Sequence, residues 1–155
     1  PAPPAPPPRL NASPLSDARF DVPGVTFGVA RCFLVRTYET LGTLVLESAA
    51  SSPACVTPVD TFPPAAPRNV TLVAGEGAIS LIWDPNGEAD LAGYLVLRGE
   101  APGEKLQALT PSPARETTYR DTQVTSGVAY VYAVVAVDAA GNVGAQSDRV
   151  EERGR

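Results

Sequence analysis

In the second half of the chain, apolar and polar residues alternate in short bursts separated by residues that favour turns. Ile79, Leu81 and Trp83 occupy every second position of one such burst, and a period of two places all three on one face of a strand. The same reading predicts strands over residues 69–73, 78–83, 94–98, 118–121, 128–137 and 143–151. Between them stand Gly75-Glu76-Gly77, Pro85-Asn86-Gly87, Pro102-Gly103 and Ala139-Ala140-Gly141-Asn142, most of them rich in residues that tolerate tight turns. No segment keeps a 3.6-residue period. Short strands at this spacing predict an all-β antiparallel sandwich of immunoglobulin-like type.

The first half of the chain repeats part of the second. Aligning Leu10 with Leu109 and reading on without a gap pairs Phe20 with Tyr119, Val25-Thr26 with Val124-Thr125, and Gly28-Val29-Ala30 with Gly127-Val128-Ala129. It continues through Phe33 with Tyr132, Val35 with Val134, Gly42 with Gly141 and Ser48 with Ser147. A sustained register of this kind marks two copies of one unit. The counterpart of residues 71–98 would lie ahead of Pro1, so the first copy is expected to lack its opening strands. The expected organisation is a partial copy over 1–59, a proline-rich linker over 60–67, and a complete copy over 68–152.

Three stretches then carry a resemblance. Ile82-Trp83-Asp84-Pro85, Asp90-Leu91-Ala92-Gly93-Tyr94, and the run from Tyr130 through Tyr132 to Asp138-Ala139-Ala140-Gly141-Asn142 resemble a fibronectin type III domain. The resemblance spans about residues 64 to 151, and the repeat extends it to roughly residues 6 to 53. It implies Trp83, Tyr94, Tyr130 and Tyr132 as the structural core, with the Tyr130 hydroxyl tied back to nearby backbone. The first copy departs from this at Arg31, which stands in the place of Tyr130. Residues 55–64, Cys-Val-Thr-Pro-Val-Asp-Thr-Phe-Pro-Pro, resemble the junction between such repeats in predicted bacterial surface lipoproteins, which implies a lipid-anchored cysteine upstream. If the first copy follows the second, Cys32 falls early in its sixth strand and Cys55 just past its seventh, about a turn near Thr43-Leu44. Antiparallel pairing would then join them in a disulfide worth roughly 3 kcal/mol in an oxidising compartment; the alternative is two free thiols in a reducing one.

Composition narrows the function. The formal charge is −5, from 17 acidic and 12 basic residues, with no basic cluster of the kind nucleic-acid binding needs. No apolar run approaches the length of a membrane span. The absence of histidine removes the Ser-His-Asp triad, the Cys-His dyad and imidazole metal ligands together, and argues against an enzyme. Arginine in place of lysine, with abundant Ala, Pro, Gly and Val, points to a GC-rich bacterial coding sequence. The opening Pro-Ala-Pro-Pro-Ala-Pro-Pro-Pro reads as an extended spacer, its alternative being a ligand for a proline-recognising domain.

The remaining candidates each have a plainer explanation. Asp84, Asn86, Glu88 and Asp90 crowd one loop and could suit calcium, but Asn86-Gly87 is also an ordinary turn. Glu116, Asp121 and Asp138 include the residue types of an acid and base pair, yet they fall at strand ends. Asn11-Ala12-Ser13 and Asn69-Val70-Thr71 match the glycosylation sequon, which matters only in a eukaryotic secretory pathway. Arg98-Gly99-Glu100 is not an Arg-Gly-Asp motif. The expectation is a non-catalytic extracytoplasmic scaffold or protein-interaction module, in the periplasm or on the cell surface of a bacterium, with no cofactor or metal and with a protein as partner. Two alternatives stand beside it: an accessory lipoprotein-type subunit of a membrane complex, and spacer domains of a carbohydrate-active enzyme.

Overall fold

The computed structural model describes residues 7–103 and 105–155, so most of the proline-rich opening, Pro1–Pro8, lies outside the described residues. The chain folds as two units, Pro1–Asp60 and Thr61–Arg155. Every regular element among the described residues is a strand. None of the described residues forms a helix long and apolar enough to cross a membrane.

The second unit is an antiparallel sandwich. One sheet has three strands, Thr71–Gly75 (β5), Ala78–Ile82 (β6) and Thr118–Asp121 (β9), in the order β5-β6-β9. The other has four: Leu91–Glu100 (β7), Gln107–Ala108 (β8), Ala129–Asp138 (β10) and Val150–Arg153 (β11), ordered β11-β10-β7-β8. Ile79, Leu81 and Trp83 face Tyr94, Val96, Tyr130, Tyr132, Val134 and Ala136 across a single core. The alternation read from the sequence places these residues inward. Each large side chain buried there contributes about 1.5–3 kcal/mol, so the core is what holds the two sheets together.

Two strands differ from the sequence reading. Gln107–Ala108 is a strand that no alternation announced: it is two residues long, paired only at Leu97 with Ala108 and Arg98 with Gln107. The last strand, expected over residues 143–151, pairs as a ladder only over Val150–Arg153. Ahead of it, Val143 bridges Val137 and Ser147 binds Val134 through both backbone and hydroxyl, so a side chain replaces part of the ladder. Residues 61–67 belong to the second unit, with Pro64 and Pro67 buried and the Ala65 amide donating to Glu88. Proline has no amide donor to satisfy, so it can be buried along a sandwich edge without ladder partners.

The first unit contains Arg31–Phe33 (β1), Tyr38–Leu41 (β2), Leu44–Glu47 (β3) and Ala54–Val56 (β4). β2 pairs with β3 around Gly42-Thr43, and β1 pairs with β4. No residue described in this unit is fully buried. Local hydrogen bonds and one covalent link therefore set its shape.

Candidate functional site

The two cysteines are directly opposed in the β1–β4 ladder, Cys32 against Cys55 with Cα atoms 4.0 Å apart, and form a disulfide. Cys55 lies inside a strand, where the sequence placed it just past one. The bridge closes a 23-residue separation in a unit without a core. Arg9 adds a surface tie, its guanidinium lying over the Tyr38 ring and 3.1 Å from Glu47; exposed pairs of this kind contribute little.

Hydrogen bonds of the first unit reproduce those of the second. Val35 donates to the Ser51 hydroxyl at 3.0 Å and accepts from the Ser51 amide at 2.9 Å. Val134 makes the same pair of bonds with Ser147, at 3.0 and 2.9 Å. Both serine hydroxyls also donate to the next residue's carbonyl. Gly28 donates to Pro58 as Gly127 donates to Gly154, and Val29 to Thr26 as Val128 to Thr125. The counterpart of Ser147 is thus Ser51 and not Ser48, which corrects the gapless pairing. Val35 and Ser51 are 16 residues apart and Val134 and Ser147 only 13, because the β2–β3 hairpin is longer than the turn closed by Asp138 and Asn142.

In the second unit the aromatic residues sit in the core. Trp83 meets Tyr94 edge-on at 5.4 Å, and the Tyr94 hydroxyl accepts from the Asn86 amide at 2.7 Å. The Tyr130 hydroxyl accepts from the Thr125 amide at 3.0 Å, closing the corner ahead of β10. In the first unit Arg31 reaches from the equivalent position to the Gly24 carbonyl, so a cation takes over the tie to the backbone.

Sequence reasoning missed one polar cluster. Asp121 is buried and accepts from Arg98 at 2.7 Å, from the Tyr132 hydroxyl at 2.8 Å and from the Gln123 amide at 2.9 Å. Burial alone would raise its pKa, but these bonds together outweigh it and hold the carboxyl below its usual range. Burial and the bond to Asp121 push the Tyr132 hydroxyl up. Arg98 also lies over the Tyr130 ring at 5.1 Å. An ionised carboxylate with both oxygens engaged is a structural anchor, not a proton donor. Only the alternation of β7 and β9 could have signalled it, since that pattern turns Arg98 and Asp121 toward the same layer.

Asp138 is likewise committed: it accepts from the amide and side chain of Asn142, each at 2.8 Å. Glu116 is exposed. In the loop weighed for calcium, Asp84, Asn86 and Glu88 each bond to protein groups. Asp84 accepts from Asn69 at 2.6 Å, Asn86 donates to the Ala65 carbonyl at 2.9 Å, and Glu88 accepts from the Ala65 amide at 2.7 Å. The Ala65 amide is the main cause that lowers the Glu88 pKa. These bonds fasten the 61–67 strap along an open groove of about 400 Å³ beside Arg68 and Asp84.

No family model matches the chain. Exoglucanase B of Cellulomonas fimi is 33% identical over 132 residues, covering 82% of this chain and 11% of that protein. Endoglucanase B of Cellulomonas fimi is 37% identical over 136 residues, with 82% and 12% covered. Amylopullulanase of Thermoanaerobacterium thermosulfurigenes is 37% identical over 83 residues, 54% of this chain and 4% of that protein. The chain thus spans about an eighth or less of the curated relatives it matches. Both Cellulomonas matches are longer than the second unit and so take in part of the first. Among solved structures, a Fn3-like protein from Clostridium thermocellum aligns with a TM-score of 0.52 at 24% identity, over 61% of this chain and 96% of that one. The chicken CNTN1 FN1-FN3 domains align with a TM-score of 0.56 at 20% identity, over 70% of this chain and 36% of that one. The chain has the fibronectin type III fold.

Proposed function

We propose that this chain is a non-catalytic, extracytoplasmic spacer module of a larger bacterial polysaccharide-acting protein. The observation that carries the proposal is the pattern of the matches: most of this chain aligns with small portions of an exoglucanase and an endoglucanase. The three carboxylates considered for acid and base work supply no such pair, because Asp121 and Asp138 are held as ionised structural acceptors. The Cys32–Cys55 bridge supports an oxidising compartment outside the cytoplasm. The second unit is a sandwich around a single core, the kind of compact body a spacer is built from.

Incubating the purified chain with insoluble cellulose and with pullulan tests this reading. Reducing-sugar release should stay at background, and the protein should remain in the supernatant after the cellulose is pelleted. Turnover of either polymer would overturn the non-catalytic assignment, and retention on the pellet would replace a spacer by a carbohydrate-binding module.

A further inference from the structure

Residues 61–67 are fastened to the second unit through the backbone of Ala65. The Asn86 side-chain amide donates to the Ala65 carbonyl at 2.9 Å, and the Ala65 amide donates to Glu88 Oε1 at 2.7 Å. The same Asn86 nitrogen lies 3.5 Å from Glu88 Oε1. One neutral donor thus stands between a carbonyl and a carboxylate, and its two hydrogens suit both. Hydrogen bonds led by the Ala65 amide lower the Glu88 pKa, so this carboxylate is ionised at neutral pH. Among the asparagines Asn11, Asn69, Asn86 and Asn142, Asn86 alone precedes a glycine. A side chain on the following residue screens its backbone nitrogen, as Ala12, Val70 and Val143 do for the others; Gly87 has none. Gly87 is also exposed, outside any strand, and lines the open groove beside Arg68 and Asp84, where water reaches it.

We propose that Asn86 is a self-modification site, and that its conversion to a carboxylate releases residues 61–67 from the second unit. The Gly87 backbone nitrogen attacks Asn86 Cγ and gives up its proton to solvent. The bond from Cγ to Nδ2 breaks, that nitrogen leaves as ammonia, and a succinimide ring closes. Water then opens the ring at either carbonyl, giving aspartate or, with the backbone rerouted through the side chain, isoaspartate. One water is consumed, one ammonia is released, and nothing is oxidised or reduced. Both products place a carboxylate where the donor stood. It has no hydrogen to give the Ala65 carbonyl, and it faces the ionised Glu88 at a distance where like charges repel. The strap loses one of its two bonds at Ala65 and the acceptor of the other is disturbed. Tyr94, whose hydroxyl accepts from the Asn86 backbone amide, belongs to the core, so the sandwich beneath stays folded while residues 61–67 come free as extended chain.

The test ages the full chain in mildly alkaline buffer and follows it by intact mass and peptide mapping. Asn86 should gain one dalton, as a mixture of aspartate and isoaspartate, well ahead of Asn11, Asn69 and Asn142. Conversion of Asn86 no faster than that of Asn11 would overturn the proposal. Gly87→Ala is the control: Gly87 is not among the glycines of positive φ, and a Cβ there meets nothing within 4 Å, so the variant should fold and convert several-fold more slowly. Equal conversion in that variant would overturn the succinimide route. The release is read separately on Asn86→Asp, which carries the product from the start. Its Ala65 amide should exchange roughly tenfold or more faster than in the unmodified chain, while the amides of β6 and β10 stay protected. Unchanged exchange at Ala65 would overturn the release. Faster exchange throughout β6 and β10 would overturn it as well, because the new charge would then unfold the sandwich instead of freeing the strap.

Discussion

Tyr130 shows how one atom can fix a corner. Its ring belongs to the core, and its hydroxyl, 3.0 Å from the Thr125 amide, satisfies a backbone donor that the β10 ladder does not reach. Replacing it with phenylalanine keeps the ring and removes only the acceptor. Tyr130→Phe should therefore cost about 1–2 kcal/mol, measured by urea unfolding followed through Trp83, the single tryptophan. An unchanged midpoint would show that the amide finds another partner at no cost. Arg31 holds the equivalent place in the first unit, and its bond to the Gly24 carbonyl shows that the corner can be tied by a donor as well as by an acceptor.

At the level of elements, the hairpins of the two units are held by different means. β10 is clamped by neighbours on both sides, whereas β1, among the described residues, is held by β4 and the disulfide. Closing a separation of 23 residues should stabilise the first unit by about 3 kcal/mol in the chain-entropy model. The double variant Cys32→Ser/Cys55→Ser is accordingly expected to release the amides of residues 31–33 and 54–56 to fast hydrogen exchange, while those of β6 and β10 stay protected. Persistence of the 31–33 protection would mean that the ladder survives without its covalent tie.

For the sandwich as a whole, acid is the informative stress. Asp121 has a folded pKa below its usual range, and so do Asp138 and Glu88. A depressed folded pKa contributes stability that is fully present above the unfolded value, about 4, and is lost as pH falls through the folded one. Stability of the second unit should be flat near neutrality and decline below about pH 4. Asp121→Asn should lower it at neutral pH by about 3 kcal/mol, because Arg98 is left partly buried without its counter-charge, and should flatten the acid decline. A variant retaining the full acid slope would assign that slope to Asp138 and Glu88 instead.

The period-two pattern from Ile79 to Trp83, the turn residues between strands and the repeated register were enough to read an antiparallel sandwich, because burial on one face of a strand leaves its mark on every second residue. Cys32 and Cys55 were legible as a pair for a related reason: the repeat placed Cys32 early in one strand and Cys55 just past the end of the next, on either side of a turn. Other features depend on groups distant in sequence and were settled only by the fold. The union of Arg98, Asp121 and Tyr132, the packing of the 61–67 strap, and the replacement of Ser48 by Ser51 in the repeat all belong here. Pairing across sheets and the length of a hairpin impose no period on the chain, so nothing local in the sequence records them. The exposure of Leu10, Phe20, Val25, Val29 and Val35 in the first unit has the same origin: their counterparts in the second unit pack on a core, and only the tertiary structure reveals that these five are exposed.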